Sequence, residues 1–239
     1  MQAIRETIRP HLQQVVSEQK TTPSPSEAKA QPEMEKQTFD FARYIAFLER
    51  KGRELYGEHF RLNEEDYPLL EKLVAYVSGE RERAERQGLN LRKGILLSGP
   101  IGCGKTSLMT LLRLLLPPQE RYRVKSCREV SFEFHKEGYE AIQRYSQPPP
   151  GSLLKASAYL FDDLGTESSG RHYGNTCNVM GEVLLSRYDQ FILWGVKTHL
   201  TTNLTSLEIE QAYGKRVRSR MREMFNLVSF DKGTTDKRT

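Results

Sequence analysis

Behind the apolar stretch Gly94-Ile-Leu-Leu-Ser98 the chain runs directly into Gly99-Pro-Ile-Gly-Cys-Gly-Lys105-Thr106, and then into a helical pattern from Thr106 to Leu116. A short buried strand, a glycine loop and a helix opening on Lys-Thr together make the context of a P-loop. The loop from Gly99 through Pro100, Ile101, Gly102, Cys103, Gly104, Lys105 and Thr106 to Ser107 is the expected phosphate cradle. Gly99, Gly102 and Gly104 allow backbone angles that side chains forbid, so successive N–H groups turn inward while the positive end of the following helix faces the same charge. Lys105 is placed to reach the β- and γ-phosphates of a nucleoside triphosphate, and the Thr106 hydroxyl to coordinate Mg²⁺.

The 239 residues suit one large α/β domain with an appendage. Apolar residues make up 37% and charged residues 28%, with no apolar run long enough to span a bilayer and no signal-peptide pattern, so a cytoplasmic chain with no membrane partner is expected. Cys103, Cys127 and Cys177 are far apart and form no C-x-x-C pair, so neither a zinc site nor a disulfide framework is indicated. Cys103 reads as a small loop residue or as a redox-sensitive one.

Composition divides the chain into four parts. Residues 1–19 carry Ile4, Ile8, Leu12, Val15 and Val16 at helical spacing, interrupted by Pro10. This helical arm suits a hook for a partner protein, docking onto its own core, or self-association. Residues 20–38 are a polar, Pro- and Ser-containing linker, too poor in apolar residues to pack. Residues 39–92 form a helical lead-in, and 93–239 alternate strands and helices as a parallel sheet covered on both faces requires. The pattern predicts a strand at Tyr122–Ser126, a helix at Glu133–Tyr145, a stop at Gln147–Gly151, a strand at Ala158–Phe161, a helix at Val179–Phe191, a strand at His199–Thr202 and a helix at Ser206–Tyr213.

Tyr159-Leu-Phe-Asp162-Asp163 is an apolar strand ending in two acids, which a parallel sheet delivers to the edge that holds the P-loop. Asp162 is expected to hold Mg²⁺ through a water, and Asp163 to orient or deprotonate the attacking water. Asn203, after the next strand, is positioned to bond the γ-phosphate or its water, or to cap the following helix. Beyond it, arginines at 216, 218, 220 and 222 follow one another, and Arg216 and Arg220 share a helix face. An arginine on that face, given to a neighbouring subunit, would stabilise the charge on a transferring phosphoryl group. From Tyr213 to Thr239 there are eight Lys/Arg against three acids, on a chain of net charge +5. That basic end suits phosphate contacts, whether to nucleic acid or to a neighbour's nucleotide, or an ordinary solvated helix face. The loop Ser168–Gly174, with Arg171 and His172, suits DNA, the next subunit or a surface turn.

As a set, the P-loop, the Asp162-Asp163-Leu-Gly165 strand end, the Thr201-Thr-Asn203 strand and the arginine box that starts Tyr213-Gly214 resemble the AAA+ ATPases. Phe161–Gly165, the Arg187-Tyr188 pair, Thr201–Leu204 and Ser219-Arg220 are similar, more narrowly, to the branch of DnaC-type helicase loaders and IstB-type transposition helpers. The resemblance covers Leu91 to Phe230. It implies a three-layer P-loop NTPase core with a central parallel sheet and no C-terminal helical lid. Lys105 and Thr106 become Walker A, Asp162 and Asp163 Walker B, Asn203 sensor 1 and Arg220 the arginine finger, with Arg216 in reserve. It also implies ATP and Mg²⁺ as cofactors, slow hydrolysis stimulated by assembly or DNA, a homo-oligomer in the ATP state, single-stranded DNA, and a helicase or transposase held through the arm. Walker B here ends in Asp163 where most AAA+ proteins carry Glu, which moves the attacking water. The leading expectation is a replicative helicase loader, beside a DNA-bound adaptor for transposition or integration. A small-molecule kinase is a third class, disfavoured because the arginines follow a sensor-like strand where an interface finger belongs.

Overall fold

The computed structural model describes residues 39–147, 157–167, 170–172, 175–231 and 233–237. The expected arm, the linker, the proline run and the tip of the 168–174 loop lie outside these residues.

The lead-in folds as α1 (Phe41–Tyr56), α2 (Tyr67–Val77) and α3 (Arg81–Arg86). Asp40 caps α1 by accepting from the Arg43 amide at 3.1 Å, and Gly57, at φ 101°, ends it. Then come β1 (Gly94–Ser98), α4 (Lys105–Leu112), β2 (Arg123–Ser126), α5 (Cys127–Glu137), α6 (Tyr139–Ser146) and β3 (Tyr159–Leu164). A small hairpin, β4 (Gly170–His172) with β5 (Asn175–Cys177), precedes α7 (Val179–Trp194), β6 (Thr198–Thr202), α8 (Ser206–Met224) and β7 (Phe225–Ser229).

Five strands form one parallel sheet in the order β2-β3-β6-β1-β7, so β6 lies between the P-loop strand and the acidic strand. Side chains alternate across it. Ile95 and Leu97 of β1, Leu160 of β3 and Val228 of β7 pack on one face with the lead-in and α4, through Leu48, Leu70, Leu73 and Leu111. Leu96, Phe161 and Leu200 pack on the other face with α5 to α8, through Val130, Phe134, Val183 and Met221. This is the expected three-layer α/β core around a central parallel sheet, and the lead-in is an integral part of one of its layers. Among the described residues no helix is long and apolar enough to cross a membrane.

Three expected elements run differently from the sequence expectation, and the β4–β5 hairpin was not expected. The helix expected at Glu133–Tyr145 starts at Cys127, where Ser126 and Glu129 make a reciprocal capping box, and it breaks at Gly138, whose φ is 64°. Strand β3 continues past Phe161 through both acids, with a register shift before Leu164. The helix expected to end at Tyr213 resumes after Gly214, whose φ of 85° and ψ of 162° split α8 into two pieces. The second piece carries the arginines.

Candidate nucleotide site

The sheet aligns its carboxyl ends: Ser98 is in register with Thr202, and Ser126 with Asp162. That edge opens into a cleft of about 650 Å³ containing Lys105, Thr106, Asp163 and Asn203. Two larger clefts, about 860 and 810 Å³, lie elsewhere, around His199 and along β7, and neither contains the P-loop.

Gly102 and Gly104 hold φ values of 82° and 92°, the left-handed region that the expected cradle requires. Gly99 serves differently: a Cβ there would fall 2.8 Å from Phe230 Cβ and 3.0 Å from Cys103 Sγ, so its lack of a side chain permits close packing. Helix α4 starts at Lys105 behind Gly104 with no side-chain cap, which leaves its first-turn amides to an anion. The Lys105 ammonium is folded back onto its own loop, donating to Gly99 O at 2.9 Å and Pro100 O at 2.8 Å. Ile101 is exposed, whereas Cys103 is fully buried. Burial also pushes the Cys103 thiol up, against the nearby Lys105 charge, which argues for the packing role over a reactive thiolate.

Thr106 Oγ1 donates to the Asp162 carboxylate, 3.0 Å from Oδ1 and 2.9 Å from Oδ2, and Thr201 Oγ1 donates to Oδ1 at 2.6 Å. Asp162 is buried, and desolvation holds its carboxyl above the usual range against the opposing Thr201 and Thr106 hydrogen bonds. Asp163 has φ 55°, the one non-glycine residue with positive φ among those described. Its amide donates to Thr201 Oγ1 at 2.8 Å, so one threonine fixes both acids. Such a backbone costs about 1 kcal/mol and persists where surrounding contacts enforce it. Here it turns the second acid out of the strand alternation and into the cleft.

Asn203 is exposed on the cleft wall. It does not cap α8. Thr205 does, in a capping box with Glu208, which removes the competing reading of Asn203.

None of Lys215 to Arg222 lines the cleft of its own molecule. Arg220 lies over the Tyr188 ring at 4.3 Å, donates to Tyr188 Oη at 3.1 Å and approaches Glu223 at 3.4 Å. Arg218 is paired with Glu210, and Arg216 is exposed. Tyr213, on the first piece of α8, donates to Glu167, whose other carboxylate oxygen accepts from the Gly165 amide at 2.9 Å. The acidic strand end and the arginine helix of one molecule are therefore joined, although their functional side chains face different ways. The side chains of Arg171 and His172 lie outside the described set.

Sequence reasoning missed Thr201 as the anchor of the acids, although a threonine beside Asn203 at a strand end was the available signal. It also missed two walls of the cleft. Tyr56, His59 and Phe60 of the lead-in form one, and Asp236 and Lys237 of the C-terminal segment form the other. Nothing in the local sequence marked either one, because both reach the site through the tertiary fold.

The donor set fits a Mg²⁺-nucleotide. The amides around Gly102 and Gly104 and the uncapped turn of α4 suit phosphate, and the Thr106 and Asp162 oxygens already converge as a hard cation requires. Among the described residues no group of three or more His, Cys, Asp or Glu side chains is arranged to hold a metal ion.

No protein-family model matches the chain, and no curated protein matches its sequence. Solved structures do. The chain is similar to the DnaC helicase loader, at 19% identity over 79% of this chain and 99% of that one, with a TM-score of 0.49. It is similar to DnaI at 17% identity, covering 76% of this chain and 94% of that one, with a TM-score of 0.49. It is also similar to AMPPCP-bound DnaA from Aquifex aeolicus, at 18% identity over 73% of this chain and 49% of that one, with a TM-score of 0.48.

Proposed function

We propose that this chain is an ATP-binding and hydrolysing AAA+ protein that assembles on DNA through its ATP interfaces and loads a replicative helicase. The observation that carries the reading is the division of labour at the carboxyl edge: cradle, Asp163 and Asn203 share one cleft, with Asp162 bonded to its Thr106, while the arginines of α8 lie outside it. A cleft so built is completed by a second copy.

In this reading the amides of Gly102 to Ser107 and the Lys105 ammonium bind the phosphates, Lys105 exchanging two loop carbonyls for phosphate oxygens. Thr106 and Asp162 hold Mg²⁺, which when bound neutralises charge on the β- and γ-phosphates. Asp163 and Asn203 orient the attacking water, and Asp163 accepts its proton. Arg220 of a neighbour meets the charge that develops on the phosphoryl oxygens. DNA and the helicase enter through the sequence resemblance and the basic second half of α8.

Nucleotide binding and turnover test it together. ATP should bind the wild-type chain and not Lys105→Ala, and hydrolysis per subunit should rise with protein concentration and with single-stranded DNA. Undiminished ATP binding by Lys105→Ala would remove the cradle. Turnover independent of protein concentration would remove the shared site. DNA affinity that ignores salt would remove the phosphate contacts. Capture of a transposase in place of a replicative helicase would move the chain to the adaptor class.

A further inference from the structure

Strand β7 ends at the carboxyl edge, where Phe230 N donates to Ser98 O at 2.9 Å. The chain then reverses, with Gly233 N donating to the Asp231 carboxylate at 2.8 Å and Thr234 N to Asp231 O at 3.1 Å. This turn sends Thr235, Asp236 and Lys237 back across the P-loop. Lys237 N donates to Gly102 O at 3.0 Å, which ties the returning segment to the cradle backbone. The Asp236 carboxylate rests against Gly102 so closely that a Cβ on Gly102 would fall 2.1 Å from Asp236 Cγ. Lys237 Nζ passes over the Phe230 ring, 5.0 Å from its centroid, and pairs with Asp66 at the end of the lead-in's short helical turn before α2. Both members of that pair are largely shielded, with side-chain exposures of 23% and 11%.

We propose that Gly233–Lys237 is a strap across the nucleotide cleft, latched by the Lys237–Asp66 ion pair, and that this latch sets how fast bound nucleotide leaves. Three parts of the chain meet there: the P-loop, the lead-in and the C-terminal segment. Lys237 ties the strap to two of them at once, through its side chain to Asp66 of the lead-in and through its backbone amide to Gly102 of the P-loop. Breaking a shielded pair from one side leaves an unpaired charge, which favours the open, hydrated arrangement.

The inference rests on the nucleotide-binding reading and goes beyond it. Release of a fluorescent ATP analogue from the full-length chain, chased with excess ATP, tests it. Lys237→Met and Asp66→Asn should each speed release at least tenfold. Lys237→Arg, which keeps the charge, should stay within about threefold of wild type, and the exchange Asp66→Lys with Lys237→Asp should recover most of the slow release. Lys237→Gln, a milder break in a surface segment, serves if Asp66→Asn does not fold. Wild-type release rates in the single variants, or an exchange no slower than the singles, would overturn the latch and leave the nucleotide site standing. Failure of the wild-type chain to bind the analogue would overturn both.

Discussion

Thr201 donates its hydroxyl proton to Asp162 at 2.6 Å while the same oxygen accepts from the Asp163 amide at 2.8 Å, so one β6 side chain sets the position of both acids. Thr201→Val keeps the shape and removes both bonds. ATP turnover should fall about 10- to 100-fold, the usual cost of losing a residue that orients a metal's ligand, and Mg²⁺ should be needed at higher concentration. Thr201→Ser should keep most of the activity. A Mg²⁺ titration of turnover in the three proteins decides, and a Val variant with unchanged Mg²⁺ dependence would contradict the role.

Tyr188 of α7 stacks under the Arg220 guanidinium of α8 and sets its orientation. Arg220→Ala should lower turnover by about 10³ or more, the range found when an arginine finger is removed, with ATP affinity little changed. Tyr188→Ala, which leaves the charge but frees its orientation, should fall between. Single-turnover hydrolysis beside equilibrium ATP binding separates the two effects. Equal losses for Arg216→Ala and Arg220→Ala would show that the stacking contact does not select the finger.

His199 is fully enclosed between Tyr76 and Tyr122, and its Nδ1 accepts from the Ile95 amide at 3.1 Å, which places the ring proton on Nε2. Burial, aided by the Lys197 and Arg187 charges, pushes its pKa down to about 3. The unfolded chain, with an ordinary histidine near 6.5, binds the proton first. Stability from this group is therefore whole above pH 6.5 and is lost as pH falls from there toward 3, at roughly 1.5 kcal/mol between pH 6.5 and 5. His199→Asn keeps an acceptor for Ile95 and cannot titrate. Its urea midpoint should show a shallower acid dependence than wild type over that interval.

Arg187 is completely buried and makes hydrogen bonds to Thr198 Oγ1 at 2.8 Å, Ser157 O at 2.9 Å, Lys197 O at 3.0 Å and Tyr145 O at 3.3 Å. It clamps the starts of β3 and β6, which carry the acids and Thr201. A lysine offers three donors from one point and cannot span these acceptors, so Arg187→Lys should destabilise the fold by about 2–4 kcal/mol. Equilibrium urea unfolding measures it.

The glycine loop and the acidic strand end were legible because each is local: β1, the turn through Gly102 and Gly104 and the start of α4 at Lys105 are consecutive in the chain. The succession of short apolar strands and helices along the chain was likewise enough to read a parallel sheet covered on both faces. The positive φ of Asp163 and its attachment to Thr201 were not legible, because they depend on β6 being inserted between β3 and β1, and strand order leaves no mark in a single sequence. Tyr188 under Arg220 and Lys237 beside Asp66 are of the same kind, 32 and 171 residues apart in the chain. The start of α5 was missed for a local reason: the Ser126 and Glu129 box was readable and outweighed by the apolar stripe that follows it.

Mixing two inactive variants tests the shared site most directly. Lys105→Ala has no working cradle but offers intact arginines, and the double variant Arg216→Ala with Arg220→Ala has the converse defect. Each alone should be inactive. In an equal mixture random assembly pairs a sound cradle with a sound arginine at about one seam in four, so turnover should return to about a quarter of the wild-type rate per subunit. A mixture as inactive as its parents, beside an active wild-type chain, would contradict the claim that each cleft is completed by its neighbour.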